Sequence, residues 1–142
     1  MLGESAETLK FMRYGRNEQM AEFKNEMTEL TRGTVVYVRN ENASGHVVSG
    51  THPAVVIQND IGNKYSPTVI VAFLTSQMKR LDMKTHVVLQ HYDNLRVSVV
   101  QAEQIATIDK RDILSVVEKL RPEDMVRIDA AVRVSLGLGV NG

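Results

Sequence analysis

The sequence predicts an α+β fold that is mainly β, and three observations carry that reading. The run from His52 to Gln77 holds two β-branched or apolar stretches, Ala54 to Ile57 and Val69 to Leu74, bounded by turn residues. Shorter stretches of the same kind surround it: Arg32 to Arg39, Thr85 to Gln90, Arg96 to Gln101 and Glu103 to Ile108. At the two ends of the chain the apolar residues instead recur at the helical repeat of about 3.6 residues.

At the N-terminus, Met20, Phe23, Met27 and Leu30 recur at helical spacing, while Glu18, Glu22, Glu26 and Glu29 form a stripe on the opposite face. That pattern predicts an amphipathic helix with Asn17 as its N-cap, within an extension of residues 1–31 that precedes one domain of residues 32–142. Gly33 leads into the first strand. Asn40 to Thr51 is rich in Asn, Ser and Gly, and a loop of this kind between strands is placed to close over a ligand.

The next two strands are apolar on both faces, so they belong mid-sheet and form the core hairpin. Asn59, Asp60, Gly62, Asn63, Ser66 and Pro67 mark the loop between them. Antiparallel pairing sets the start of the first strand beside the end of the second. His52 and Thr75, followed by Ser76 and Gln77, are therefore candidates to share one site. Ser98 is a further hydroxyl candidate. Lys79, Arg80 and Lys84 follow in a connection whose charge suits phosphate, and Lys64 in the hairpin loop is placed to reach one.

Asp93 and Asn94 mark a turn between the later strands. Asp109 is a fitting N-cap for a helix from Lys110 to Leu120, and Pro122 suits the first turn of a second helix running to Leu136. Met125, Ile128, Ala131, Val132, Ser135 and Leu136 mark the buried stripe of that second helix. The tail from Gly137 is expected to fray.

A chain of 142 residues is long enough for one domain with a substantial core. Its formal net charge of zero argues against a broad basic surface, so nucleic-acid contacts should be local and salt-sensitive. The absence of cysteine removes disulfides, thiolate nucleophiles and Cys-based zinc sites, and it fits a reducing cytoplasm. His46, His52, His86 and His91 lack the tight spacing of a metal site, so neither metal nor cofactor is expected. With no long apolar segment or secretory pattern, the chain reads as a soluble, cytoplasmic protein without a membrane partner.

The stretch PAVVIQNDIGNKYSPTVIVAFLTSQ, with THVVL and EQIATIDK further on, closely resembles the MazF/PemK family of toxin endoribonucleases, and the resemblance runs from about Arg32 to Leu138. It implies an SH3-like antiparallel barrel with C-terminal helices, a homodimer, metal-independent cleavage of single-stranded RNA, and restraint by a cognate antitoxin. In such cleavage the RNA's own 2′-hydroxyl attacks the adjacent phosphorus. The reaction needs a base, an acid, and donors for the charge that develops on the phosphoryl oxygens. The resemblance assigns these tasks to an Arg just before the Pro of the second strand and a Thr ending the third.

In this chain the matching positions are His52 and Thr75, so the Thr is kept and the Arg is not. Arginine offers a permanent charge and a fork of donors, whereas histidine offers a group that titrates near neutrality. With His46 as a second proton-transfer partner, His52 would complete a two-histidine ribonuclease arrangement. Other departures accompany this one: the family loop GSEQGG is matched by Gly45-His46-Val47-Val48-Ser49-Gly50, Val97 stands where an Asp is common, and Ala106 where an Arg is common. Two readings stay open, a MazF-type endoribonuclease that is active or attenuated, and a degenerate member that binds RNA or an antitoxin without cleavage. A gyrase-directed toxin of the CcdB type fits poorly, because that activity is tied to a C-terminal Trp and this chain has none.

Overall fold

The computed structural model describes residues 30–41 and 45–139. The β-branched stretches form six strands: β1 (Thr34–Asn40), β2 (Gly50–Val56), β3 (Thr68–Thr75), β4 (His86–Leu89), β5 (Ser98–Asp109) and β6 (Ile113–Lys119). They make one sheet in the order β4-β5-β3-β2-β1-β6, and every ladder in it is antiparallel. A short helix, α1 (Asp60–Tyr65), joins β2 to β3, and α2 (Pro122–Leu136) follows β6.

As their composition requires, β2 and β3 lie mid-sheet and are covered on both faces. On one face Val35, Val55, Ala72, Leu74 and Val100 pack with Ile128 and Ala131 of α2. On the other, Val36, Val38, Ala54, Val56, Val71 and Phe73 pack together with Ile108 and Ile113. β1, β2 and β3 thus send alternate side chains to different cores. No helix among the described residues is long and apolar enough to cross a membrane.

The α2 boundaries match the sequence expectation. Pro122 stands in the first turn, and Gly137 closes the helix at φ 69° with its N–H on the Arg133 and Val134 carbonyls. The buried stripe differs at its ends: Asp124 is buried, while Leu136 is 56% exposed.

Three local expectations are corrected. Lys110–Asp112 is a single 3-10 turn and Ile113–Lys119 is β6, so the helix expected from Lys110 to Leu120 does not form. Ile113, Val116 and Val117 are β-branched, and pairing with β1 outweighs the local helical spacing. Asp109 still caps, its carboxylate accepting from the Arg111 N–H at 2.9 Å. The stretches Arg96 to Gln101 and Glu103 to Ile108 fuse into β5, which bulges where Phe73 pairs with Gln101 but Ala72 pairs with Ile105. The hairpin loop contains α1, because the Asn59 side chain caps it by accepting from Gly62 N–H at 2.8 Å and the buried Asn63 donates to Gln58 O at 2.9 Å.

The amphipathic helix expected from Asn17 lies outside the described residues. Leu30, the last residue of its apolar stripe, is 4% exposed and joins the Val36 and Phe73 core.

Candidate active site at the open end of the central hairpin

The β2–β3 ladder runs from Val56–Val71 to Ala54–Phe73 and stops there, one residue short of Pro53, which has no N–H to donate. Carrying the same register two residues further sets His52 across from Thr75. Beyond the last paired residues the strands bound a cleft of about 500 Å³. Tyr37, Pro53, Leu74, Leu95 and Val117 give it an apolar floor, and Thr51, His52, Thr75, Ser76 and Gln77 line it from the ends of β2 and β3. Asn94, Arg96 and Ser98 enter from the turn before β5.

His52 and Thr75 are both half-buried. Strand alternation puts His52 on the face of Ala54 and Val56 and Thr75 on the face of Phe73, whereas the floor residues Leu74, Leu95 and Val117 belong to the core under α2, so His52 and Thr75 line the cleft from the strand ends and not from its floor. The Thr75 hydroxyl accepts from Gln77 N–H at 3.2 Å, which turns the chain after β3 and fixes the oxygen. Ser98 is buried and donates to the Arg96 carbonyl at 2.8 Å.

Not all of the sequence candidates meet here. His46 is exposed and is not among the cleft residues; its carbonyl accepts from Gln104 Nε2 at 3.2 Å, which holds the loop against β5. Lys79, Arg80 and Lys84 are exposed on the β3–β4 connection outside the cleft lining, and Arg80 pairs with Asp82 at 3.4 Å. Lys64 sits on α1, at the other end of β3, an eight-residue strand and so roughly 25 Å long. His86 lies on β4 with Nε2 at 2.8 Å from Glu103. Among the described residues no group of three or more His, Asp or Glu side chains is gathered to hold a metal ion.

Sequence reasoning missed Tyr37, Thr51, Asn94, Arg96 and Val117. Their signal is topological: Thr75 pairs with Val99, so whatever precedes β5 must sit beside the end of β3.

A polar node fixes the turn that carries Asn94 and Arg96. The Tyr92 hydroxyl donates to Asp124 Oδ2, and Arg121 N–H donates to the Tyr92 oxygen at 2.9 Å. Arg121 also reaches the His91 and Gln90 carbonyls at 2.9 and 2.8 Å, and Arg127 meets Asp124 Oδ1 at 2.9 Å. Burial pushes the Asp124 carboxyl up, but the Tyr92 hydroxyl and the Arg127 and Arg121 guanidiniums outweigh it and hold the group below its ordinary value. Burial, with the Asp124 acceptor, raises Tyr92.

The model of the PemK-like, MazF-like toxins of type II toxin-antitoxin systems matches residues 31–136. The chain belongs to this family. It is 40% identical to endoribonuclease EndoA of Bacillus subtilis (strain 168) over 111 residues, 77% of this chain and 96% of that protein. Its fold is similar to MazF from Deinococcus radiodurans, at a TM-score of 0.68 and 19% identity over 77% of this chain and 97% of that one. It is similar also to a mycobacterial endoribonuclease solved with its cognate antitoxin, at 0.65 and 24% identity over 79% and 99%. Within this MazF-like sheet, His52 and Thr75 occupy one cleft across the hairpin, with His52 at the residue before Pro53.

Proposed function

We propose that this chain is an endoribonuclease toxin of MazF type that cuts single-stranded RNA by attack of the RNA's own 2′-hydroxyl, without a metal ion. The observation that carries the reading is the shared cleft of His52 and Thr75 in a chain 40% identical to a protein named an endoribonuclease. His52 takes the 2′-hydroxyl proton as the 2′-O–P bond forms and returns it to the departing 5′-oxygen as the P–O5′ bond breaks. The Thr75 hydroxyl, its position fixed by the Gln77 N–H, donates to a non-bridging phosphate oxygen as charge develops there. Ser76 and Gln77 offer further polar contacts to the strand of RNA, and the exposed Lys79, Arg80 and Lys84 extend its path outside the cleft.

The same reading takes the two-sided sheet as an SH3-like barrel, pairs the chain with a second copy, and gives it an antitoxin partner in the cytoplasm. The complex of the mycobacterial relative with its cognate antitoxin supports the partner.

Purified protein incubated with long single-stranded RNA and a chelator is expected to give cyclic-phosphate ends. Thr75→Ala and His52→Ala should each lower the rate by about 10²-fold or more. RNA left intact from mildly acidic to mildly basic pH overturns the reading. His46, outside the cleft, should tolerate Ala with little loss. The second reading, a non-cleaving binder, is favoured by the histidine at position 52 and the exposed Val97; RNA binding without cleavage is its signature.

A further inference from the structure

We infer that Arg96 is the phosphate-holding guanidinium of this cleft, supplied from the turn before β5 in place of the arginine missing at position 52. The inference rests on the endoribonuclease reading and deepens it, since it makes the site rewired rather than disarmed.

The first ground is the fate of the other cations. Arg32, Arg39, Arg80, Arg111, Arg121 and Arg127 each pair with a carboxylate. Among the described residues no carboxylate pairs with Arg96 or Arg133. Arg133 lies in the last turn of α2, where a positive charge suits the carbonyl end of a helix. Arg96 instead lines the cleft with His52 and Thr75. An arginine beside a concave site and left without a carboxylate keeps its whole fork of donors for a ligand, and the ligand that fits two parallel N–H groups is a phosphate or carboxylate oxygen pair.

The second ground is that the backbone at Arg96 is held in place. Leu95, one residue before it, is 8% exposed and packed in the core shared with α2. Ser98, two residues after, is 2% exposed and donates to the Arg96 carbonyl at 2.8 Å. Asn94 N–H donates to Glu118 Oε2 on β6 at 3.1 Å, and the Tyr92–Asp124–Arg121 node ties the start of the turn to α2. A residue whose backbone is held this firmly sheds less freedom when its side chain grips a substrate, which is how a preorganised site gains affinity.

The test uses a single-stranded RNA with 2′-O-methyl groups, which can bind but cannot be cut, read by fluorescence anisotropy over a salt series. Arg96→Ala should weaken binding by about tenfold or more and flatten the slope of log affinity against log salt by about 0.7, the value for one lost single-strand phosphate contact. Arg111→Ala is the matched control: it removes the same charge from a residue beyond Asp109, whose partner Thr68 begins β3 at the end away from the cleft. Its slope should stay near that of the parent. Arg96→Lys should recover part of the affinity while leaving cleavage of ordinary RNA below the parent, because a point charge does not replace a fork.

Binding by the parent that Arg96→Ala leaves unchanged, or that Arg111→Ala weakens as much, overturns the assignment of Arg96 and leaves the endoribonuclease reading standing. A parent chain that binds no RNA overturns both.

Discussion

At position 52 an imidazole stands where the family resemblance implies a guanidinium, and the turn that brings Arg96 to the same cleft is tied down through Asp124. Asp124 is the most heavily used carboxylate among the described residues, accepting from Tyr92, Arg121 and Arg127 while its side chain is 8% exposed. Its folded-state pKa is lowered, so its contribution is fully present above the unfolded carboxylate value of about 4 and is lost as pH falls through the lower folded value. Asp124→Asn should therefore cost about 1–3 kcal/mol at neutral pH, and the gap to the parent should close on acidification below about pH 4. Thermal unfolding at a series of pH values reads this directly. A gap that stays constant down to pH 2 would mean that charge at Asp124 does not matter to the node.

At the scale of elements, β6 and α2 illustrate opposite outcomes of the same local signals. Both segments carry apolar residues at near-helical spacing, with Asp109 capping the first and Pro122 opening the second, yet only α2 is a helix. β6 is β-branched and meets β1, some eighty residues earlier in the chain, and that partnership cannot be read from a window around Ile113. The β2–β3 hairpin was legible because its strands, its turn and its apolar faces all lie within one short run, and so the juxtaposition of His52 and Thr75 was legible too. Arg96 and Asn94 were not, since their place in the cleft follows from β5 lying beside β3, a strand order that side-chain periodicity does not contain. The end of α2 gives a clean measure of one local signal. Gly137 sits at φ 69° with open space around its missing Cβ, so Gly137→Ala meets no clash and pays only for the left-handed backbone. The expected loss is about 1 kcal/mol, measured by chemical denaturation. No loss at all would show that the helix end relaxes into another cap.

For the whole molecule, charge is arranged so that its distribution matters more than its sum. The chain is formally neutral, but residues 1–29 hold six glutamates against four Lys and Arg, which leaves +2 on residues 30–142. Electrostatic attraction of a polyanion depends on that distribution within about 10 Å at 0.1 M salt, the distance over which exposed charges still act. If the acidic N-terminal segment lies near the RNA path, deleting residues 1–29, which keeps the buried Leu30, should raise affinity for the 2′-O-methyl RNA several-fold at low salt. The gain should shrink as salt is raised, since screening removes a charge effect but leaves a steric one. Cleavage should rise in step with affinity, because the described cleft residues all lie beyond the deleted segment. Equal affinity of the full and shortened chains at low salt would establish that the acidic stripe faces away from the RNA, whereas a gain that persists at high salt would point to the segment physically covering the cleft.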